Sequence, residues 1–251
     1  MVRVRDAAGV PATRDEAAGS MLSPARKPRR PRSSLNREVI LDAALAIAER
    51  EGLDGLTFAA LGAELGAHST AVYRHYRDKD ELVLELIDEL RARSYGVHEP
   101  GPDWRADLRA IGGHIREHYL RYPRLAQAMS ARSTRRTTEF ANVEFALDAL
   151  RRAGLGDEDA VLWLRLFGNY VRAMAAHEAA VRDLDPALKA KDHAGWQVDA
   201  AGLDAAAFPN VTRLATSMLP MDDPRIFDLG LELVLDAIEE RGRVTRAAAL
   251  R

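Results

Sequence analysis

The sequence predicts an all-α protein, in which an N-terminal domain with a helix-turn-helix motif precedes a larger helical domain. Apolar residues recur at helical spacing through most of the chain beyond residue 36, and no segment alternates convincingly enough for a strand. A cluster of glycine and proline at 96–102 (GVHEPGP) interrupts this pattern and predicts a domain boundary. The expected organisation is a basic arm at 1–35, a first domain at 36–95, a second domain at 103–242 and a tail at 243–251.

The composition limits the classes of protein to which this chain can belong. Its 251 residues, 47% of them hydrophobic, suffice for a real core, and a net charge of −2 means that any basic surface must be local. The absence of cysteine excludes disulfides, thiolate metal sites and a cysteine nucleophile. No apolar run has the length of a membrane span, and the N-terminus lacks the apolar core of a signal peptide. We therefore expect a cytoplasmic protein that does not enter a membrane.

The first 34 residues have no periodicity and are rich in alanine, arginine, proline and glycine, which predicts disorder in isolation. A basic run stands near their end, formed by Arg26, Lys27, Arg29, Arg30 and Arg32. Such an arm can touch DNA phosphates or enter the minor groove. It can equally be a solvated tail that merely precedes the fold.

The segment 61–76 organises the first domain and reads LGAELGAHSTAVYRHY. One apolar helical stripe ends at Leu65, Gly66 interrupts the pattern, and a second helix then turns Val72 and Tyr76 inward. Four small or polar side chains are left facing outward: Thr70, Ala71, Arg74 and His75. A helix, a tight turn and a second helix with polar outer positions are typical of a helix-turn-helix that enters the DNA major groove.

Capping signals mark the neighbouring helices of this domain. Asn36 is placed to cap a first helix that runs to about Arg50 and stops at Gly52. Thr57 is placed to cap the second helix, and the aspartates after the helix-turn-helix can cap a fourth helix at about 81–93.

These residues carry a resemblance to a known family. The segment 37–93, with its runs GLDGLTFAALGAELG and TAVYRHYRDKDELV, resembles the DNA-binding domain of TetR-family transcriptional regulators. Further on, VTRLATSM followed by FDLGLELVLDAIEER resembles the ligand-binding domain of the tetracycline repressor, which gives the family its name. The resemblance implies a homodimeric repressor that binds a palindromic operator and is released by a small-molecule effector.

The outward-facing positions and the resemblance to the TetR family together predict which residues contact DNA. Base edges are expected to meet Ser69, Thr70, Ala71 and Arg74, and phosphates to meet Thr57, Tyr73, His75 and Lys79. Arg74 can bond guanine bidentately and Ala71 can contact a thymine methyl group. Three of these residues have an alternative interpretation without DNA: Thr57 could only cap its helix, Tyr73 could pack against the first helix, and Lys79 could be a surface lysine.

The second domain is predicted to contain five helices. A fifth helix of the chain carries the stripe Trp104, Leu108, Ile111, Ile115 and His118, and a sixth begins at Pro123. The seventh is expected to turn inward Phe140, Val143, Leu147 and Leu150. An eighth begins at Asp157, a long loop spans 183–204, and Asp223–Pro224 starts the last helix. The eighth and last helices each have more apolar surface than one core requires, so we expect them to form the homodimer interface.

One enzyme-like motif occurs on the fifth helix, where residues 114–118 read HIREH and match the inverted zinc-protease signature. His114 and His118 could share a metal in a sensor or a hydrolase. We favour a non-enzymatic protein without cofactor or metal, because the motif is short and its predicted helical setting differs from that of such enzymes. A constitutive DNA-binding protein without an effector is a further alternative.

In a regulator of this family, aromatic, methionine and histidine residues of the second domain would line the effector cavity. The candidates are His114, His118, Met129, Trp163, Phe167 and Met174, all of which could instead be core residues. A buried His118 would need a polar partner, and the sequence offers no acid at helical spacing, so we expect a water or an effector group there. The tetracycline repressor binds the magnesium of its drug through a histidine where this chain aligns Met129, so a magnesium–tetracycline effector is not expected.

Overall fold

The computed structural model describes residues 35–218 and 223–249, and all regular elements in these ranges are helices, as predicted. The predicted basic arm lies outside the described residues. The first domain contains α1 (Arg37–Gly55), α2 (Phe58–Leu65), α3 (Ser69–Val72) and α4 (Lys79–Ser94). The second contains α5 (Trp104–Arg121), α6 (Pro123–Ala131), α7 (Thr137–Arg152), α8 (Asp157–Asp183), α9 (Pro186–Ala201), α10 (Pro209–Leu214), a 3₁₀ turn (Ala215–Met218) and α11 (Pro224–Ala249).

The predicted caps start the helices of the first domain. The Asn36 side chain accepts a hydrogen bond from the Val39 amide at 2.8 Å, and Thr57 Oγ1 accepts one from the Ala60 amide at 3.0 Å. Asp78 caps α4 in the same way. These acceptors satisfy backbone N–H groups that have no partner within their helix, so each start is fixed locally. Gly52 kinks α1 with a φ of +72°, where the sequence predicted its end, and the last turn continues to Gly55.

The core of the first domain contains Val72 and Tyr76, which the sequence predicted to face inward. Its fully or almost fully buried side chains include Ile40, Ile47, Leu61, Val72, Tyr76, Leu82 and Leu86. The helix-turn-helix packs on α1, and α4 packs on α1 as well.

Helix α8 is the centre of the second domain, where it contacts α5, α6, α7 and α11. Its buried side includes Phe167, Val171 and Ala175. The two domains are joined because α6 also packs on α1, and α4 packs on α5 and α7. A displacement among the helices around α8 can therefore reach the first domain through α4 and α6.

The predicted loop at 183–204 is wrong, because this stretch forms helix α9. Asp185 caps it by accepting hydrogen bonds from the next two backbone N–H groups, at 2.8 and 3.1 Å, and Pro186 occupies its first turn. This start signal outweighed the interruption by Gly195. In α9, Ala200 is the one buried residue among those described. The helix therefore lacks the apolar stripe from which the other helices were predicted.

The predicted inner stripe of α7 is wrong in part. Phe140 and Val143 are 60% and 36% exposed, whereas Leu150 is buried as expected. The inner side of the helix instead includes Asn142, Phe145, Ala146 and Ala149. This buried side contains two alanines and a hydrogen-bonded asparagine. A prediction based on large apolar residues alone therefore assigned the wrong side of α7 to the core. Separately, within the described residues no helix combines the length and apolarity needed to cross a bilayer.

Candidate functional site

Two glycines allow the tight turn of the helix-turn-helix. Gly66 ends α2 with a φ of +61°, in the left-handed region that favours glycine. A Cβ on Gly62 would lie 2.8 Å from the Ala67 carbonyl oxygen, so the close approach of α2 to the turn requires glycine there. Helix α3 is a single turn, Ser69–Val72, followed by further turn residues, and is therefore shorter than the recognition helix expected from the sequence.

The outer side of this motif carries most of the predicted DNA-contact residues. Thr70 and Arg74 are exposed, while Ser69, Ala71 and His75 are half-buried. Tyr73 is 59% exposed, and its ring meets the Phe58 ring edge-on at 4.6 Å between centroids. Tyr73 thus packs against the start of α2.

Thr57 and Lys79 both have structural partners. Thr57 caps α2, and Lys79 Nζ donates a 2.5 Å hydrogen bond to the Leu53 carbonyl oxygen near the end of α1. Both side chains belong to exposed residues, so these bonds do not remove them from the surface. Each therefore has a role in the fold, and the phosphate contacts expected of them stay predictions.

A charged cluster that the sequence did not indicate lies behind the helix-turn-helix. The Glu85 carboxylate accepts hydrogen bonds from the Tyr76 hydroxyl at 2.9 Å and from Arg136 at 3.1 Å, and it is paired with Arg37. Arg37 also donates to the His75 carbonyl oxygen at 2.9 Å. Burial and the hydrogen bond to Glu85 raise the pKa of Tyr76 well above its usual range, so its hydroxyl stays a donor.

The second domain contains a cavity of about 660 Å³, with walls contributed by α4, α5, α6, α7 and α8. Of the predicted lining residues, His118, Met129 and Phe167 lie on its wall. His114, Trp163 and Met174 do not: His114 is turned toward another histidine, and the other two pack against the core. The sequence missed several polar lining residues: Arg91, Tyr95, Tyr119, Glu139, Asn142 and Arg172.

His118 has a partner within the chain, so the expectation of a water or an effector group in that place was wrong. Its Nδ1 lies 2.8 Å from the Ser94 hydroxyl, at the end of α4. Burial, together with the charges of Arg91 and Arg121, lowers the pKa of His118 from 6.5 to about 4. The imidazole on this wall is therefore neutral at neutral pH.

His114 and His118 do not converge. His114 Nδ1 lies 2.8 Å from Nε2 of His98, and His98 Nδ1 lies 3.0 Å from Oδ1 of Asn142. Within 35–218 and 223–249, no three histidine, cysteine or acidic residues form a group that could hold a metal. The HIREH motif thus contributes two histidines to two different hydrogen-bonded contacts, and the arrangement gives no support to a zinc site.

The predicted interface helices each have one covered and one uncovered apolar side. In α11, Phe227, Leu231 and Ile238 are buried within the protomer, while Leu229 and Leu233 are 64% and 59% exposed. The exposed large apolar residues of α8 are Val161, Leu162 and Leu166. Large apolar side chains clustered on two helices are typical of a surface that another protein covers.

Comparisons with known proteins agree with this architecture. Residues 98–241, more than half of the chain, match the family described as tetracyclin repressor-like, C-terminal domain. Residues 40–86 match the domain described as bacterial regulatory proteins, tetR family. The chain belongs to the TetR family of transcriptional regulators. This TetR-family chain is therefore a DNA-binding regulator and not an enzyme.

Relatives of this TetR-family protein include two repressors. The HTH-type transcriptional repressor DrrR1 of Streptomyces coeruleorubidus is 27% identical over 85% of this chain and 81% of its own length. The class D tetracycline repressor protein of Escherichia coli is 27% identical over 82% of this chain and 89% of its own. Among solved structures, ActR of Streptomyces coelicolor in complex with actinorhodin superposes with a TM-score of 0.70 at 27% identity, covering 81% of this chain and 96% of ActR.

Proposed function

We propose that this protein is a cytoplasmic, ligand-responsive repressor that binds a palindromic operator as a homodimer and leaves it when a small molecule occupies the cavity. The observation that carries the proposal is the position of α4. Its first turn follows the helix-turn-helix, and Arg91 and Tyr95 at its other end belong to the cavity wall. One rigid element thus joins the two sites that a regulator must couple.

Operator binding is supported by the outer side of α3 and the turn after it. Arg74 is exposed and makes no ion pair within the described residues, so its guanidinium is available for a guanine edge. Thr70 and Ala71 lie on α3 and add one polar and one small apolar side chain to this surface. A symmetric dimer would present two such surfaces to successive major grooves, about 34–36 Å apart, which is why the operator is expected to be palindromic.

The homodimer is supported by the uncovered sides of α8 and α11. Leu162, Leu229 and Leu233 would each leave water if these helices met their copies in a four-helix arrangement. Burial of apolar area on this scale favours association by about 25 cal/mol per Å² before the entropy of association is subtracted. Tyr170 links the two helices, because its hydroxyl donates to the Phe227 carbonyl oxygen at 2.7 Å.

Coupling is supported by contacts between α4 and the loop after α6. Arg132 and Ser133 of this loop lie on the cavity wall, and Arg132 pairs with Asp80 at 2.7 Å. Arg136 of the same loop reaches Glu85. Thr134 of the loop also bonds Asp88 of α4. A ligand that displaces this wall would therefore pull on α4 at three points and change the separation of the two recognition surfaces in the dimer.

Operator selection from a random DNA library, followed by binding to the selected sequence, tests the proposal. A two-fold symmetric consensus bound by a dimer, and released by members of a small-molecule library, is the expected result. An asymmetric consensus would contradict the palindromic operator. Operator binding that no cavity-binding compound weakens would favour the constitutive DNA-binding protein, and metal-dependent binding would favour a sensor.

A further inference from the structure

We infer that the effector is an organic anion: a planar acidic oxygen group, such as a carboxylate, on an apolar ring system. This inference rests on the proposed function and names the chemical class that its cavity takes. The cavity wall carries the charges of four arginines, Arg91, Arg132, Arg165 and Arg172, against a single acid, Glu139. An excess of cationic groups in a partly enclosed site favours an anionic ligand.

The surrounding contacts show which of these charges are already balanced. Arg132 is paired with Asp80 at 2.7 Å. Glu139 accepts hydrogen bonds from the Thr134 hydroxyl and the Arg135 amide. Burial alone would raise the pKa of Glu139, but these bonds and the positive charge of Arg91 outweigh burial and lower it, so this carboxylate is ionised and already satisfied. The negative charge of Glu139 therefore offsets part of the charge of Arg91 and leaves Arg172 without a carboxylate partner among the described residues.

Arg172 has no ion pair among the described residues. Its Nη2 donates to the Asn169 side-chain oxygen at 2.9 Å, a neutral acceptor on the same helix. The side chain lies back over Gly168, one turn earlier, where a Cβ would come within 2.9 Å of its Nη1. The missing side chain at Gly168 thus lets this guanidinium lie along α8, on the cavity wall and beside buried Phe167.

Arg91 faces the same part of the wall from α4. Its nearest carboxylate oxygen, on Asp88, is 3.9 Å away, and its side chain is only 12% exposed. The positive charges of Arg91 and Arg172 both oppose the rise in pKa that burial imposes on Tyr95 and Tyr119. Two guanidinium groups therefore act on the same two phenol groups, and the four side chains form a donor-rich end of the cavity.

The other part of the cavity suits an apolar body. Ile111, Met129 and Phe167 are buried on its wall, and no carboxylate other than that of Glu139 lines it among the described residues. A volume of about 660 Å³ accommodates a ligand of several fused rings. Charge-assisted hydrogen bonds from guanidinium to a planar oxyanion are roughly twice as strong as neutral ones, so the acidic group would set the orientation of the ligand.

A matched pair of fluorescent probes tests the inference: anthracene-2-carboxylate and anthracene-2-carboxamide, which share ring system and planar head but differ in charge. Fluorescence titration of the full chain is expected to give at least about tenfold tighter binding of the carboxylate, as two added charge-assisted contacts imply. Arg172→Gln should reduce the preference to about threefold, because Arg91 remains, while leaving carboxamide binding within about twofold, and Arg172→Lys should keep more of it. Arg151→Gln, which removes an exposed arginine outside the cavity, should change neither affinity.

Equal binding of the two probes, or a preference that Arg172→Gln leaves undiminished, would overturn the inference. Failure of both probes to bind would overturn it as well. None of these three outcomes contradicts the proposed function if neutral compounds still release the operator from the same protein. Conversely, a carboxylate preference without any effect on operator binding would support the anionic site and contradict the proposed release. The two failures are therefore distinguishable.

Discussion

His118 on α5 and Ser94 on α4 are joined by a 2.8 Å hydrogen bond between the imidazole Nδ1 and the hydroxyl. One partner lines the cavity, and the other is the last residue of the helix that begins directly behind the helix-turn-helix. The bond crosses from one domain to the other, and the imidazole is almost fully buried. The contact therefore ties the position of α4 to a residue that an effector can touch.

The first prediction is that His118 makes stability fall in mild acid. Its pKa of about 4 in the folded chain lies below the unfolded value of 6.5, so its full contribution is present above pH 6.5 and is lost as the pH falls toward 4. Between pH 7 and pH 5 the loss in free energy of unfolding should be about 2 kcal/mol. His118→Gln, which can still bond Ser94 but does not titrate there, should lack this part of the decrease.

Urea unfolding at pH 7 and pH 5, at one protein concentration, measures this difference. The other histidines are common to both proteins, so their contributions cancel in the comparison. Identical pH dependence of the two proteins would mean that His118 is protonated as easily in the folded chain as in the unfolded chain.

The second prediction separates two contacts with DNA. Arg74→Ala should weaken operator binding by about 1–3 kcal/mol and relax the preference at one base position, because Arg74 is exposed on the outer side of the motif. Lys79→Ala should weaken binding to all sequences alike and reduce its salt dependence. It should also lower the free energy of unfolding by about 1 kcal/mol, because Lys79 bonds the Leu53 carbonyl oxygen.

Binding of operator variants at several salt concentrations, with thermal unfolding of the free proteins, distinguishes the two roles. Losses that are equal in size and independent of sequence for both variants would contradict the assignment of Arg74 to a base edge.

The third prediction concerns assembly. Leu233→Glu should give folded monomers with little operator affinity, because Leu233 is 59% exposed in the protomer and a charge there would be buried only in the dimer. Val234→Glu should also destabilise the protomer, since Val234 packs against its core. Val97→Glu is the matched control, because Val97 is 55% exposed and outside both interface helices.

Light scattering and circular dichroism of the three variants follow mass and folding separately. A Leu233→Glu protein that remains a dimer would remove this side of α11 from the interface.

Much of the fold follows from local patterns in the sequence. Asn36, Thr57 and Asp78 cap the helices for which their positions suited them, and Val72 and Tyr76 are buried as helical spacing required. These features depend on neighbours within a few residues, which is the range over which a sequence can be interpreted directly.

The features that the sequence did not reveal depend on contacts between distant segments. The partner of His118 lies 24 residues away on another helix, and Arg136 meets Glu85 across 51 residues. The importance of Arg172 follows from two features: its guanidinium occupies the space that a side chain at Gly168 would take, and it has no carboxylate partner among the described residues. Spacing along one helix predicts neither feature. Helix α9 was missed for the opposite reason, because so little of it is buried that no apolar stripe marks it.

The last prediction concerns the Glu85 cluster, which sets the position of the recognition surface without touching DNA. Glu85→Gln weakens the pairing with Arg37 and Arg136 and should lower the free energy of unfolding by about 1–3 kcal/mol. It should also weaken operator binding several-fold, because Arg37 holds the His75 carbonyl oxygen and Tyr76 closes the turn after α3. Hydrogen exchange at the Tyr76 amide, which bonds the Val72 carbonyl oxygen, should accelerate.

Two control variants separate the contributions of the individual contacts to Glu85. Tyr76→Phe removes only the phenol hydrogen bond, and Arg136→Ala removes only the contact from the second domain, so each should cost less operator affinity than Glu85→Gln. Arg136→Ala should in addition weaken the response to effector, because it cuts one of the links between the loop after α6 and α4. Operator affinity that is unchanged in Glu85→Gln would mean that packing around Val72 alone positions the motif, and the cluster would then serve only to join the domains.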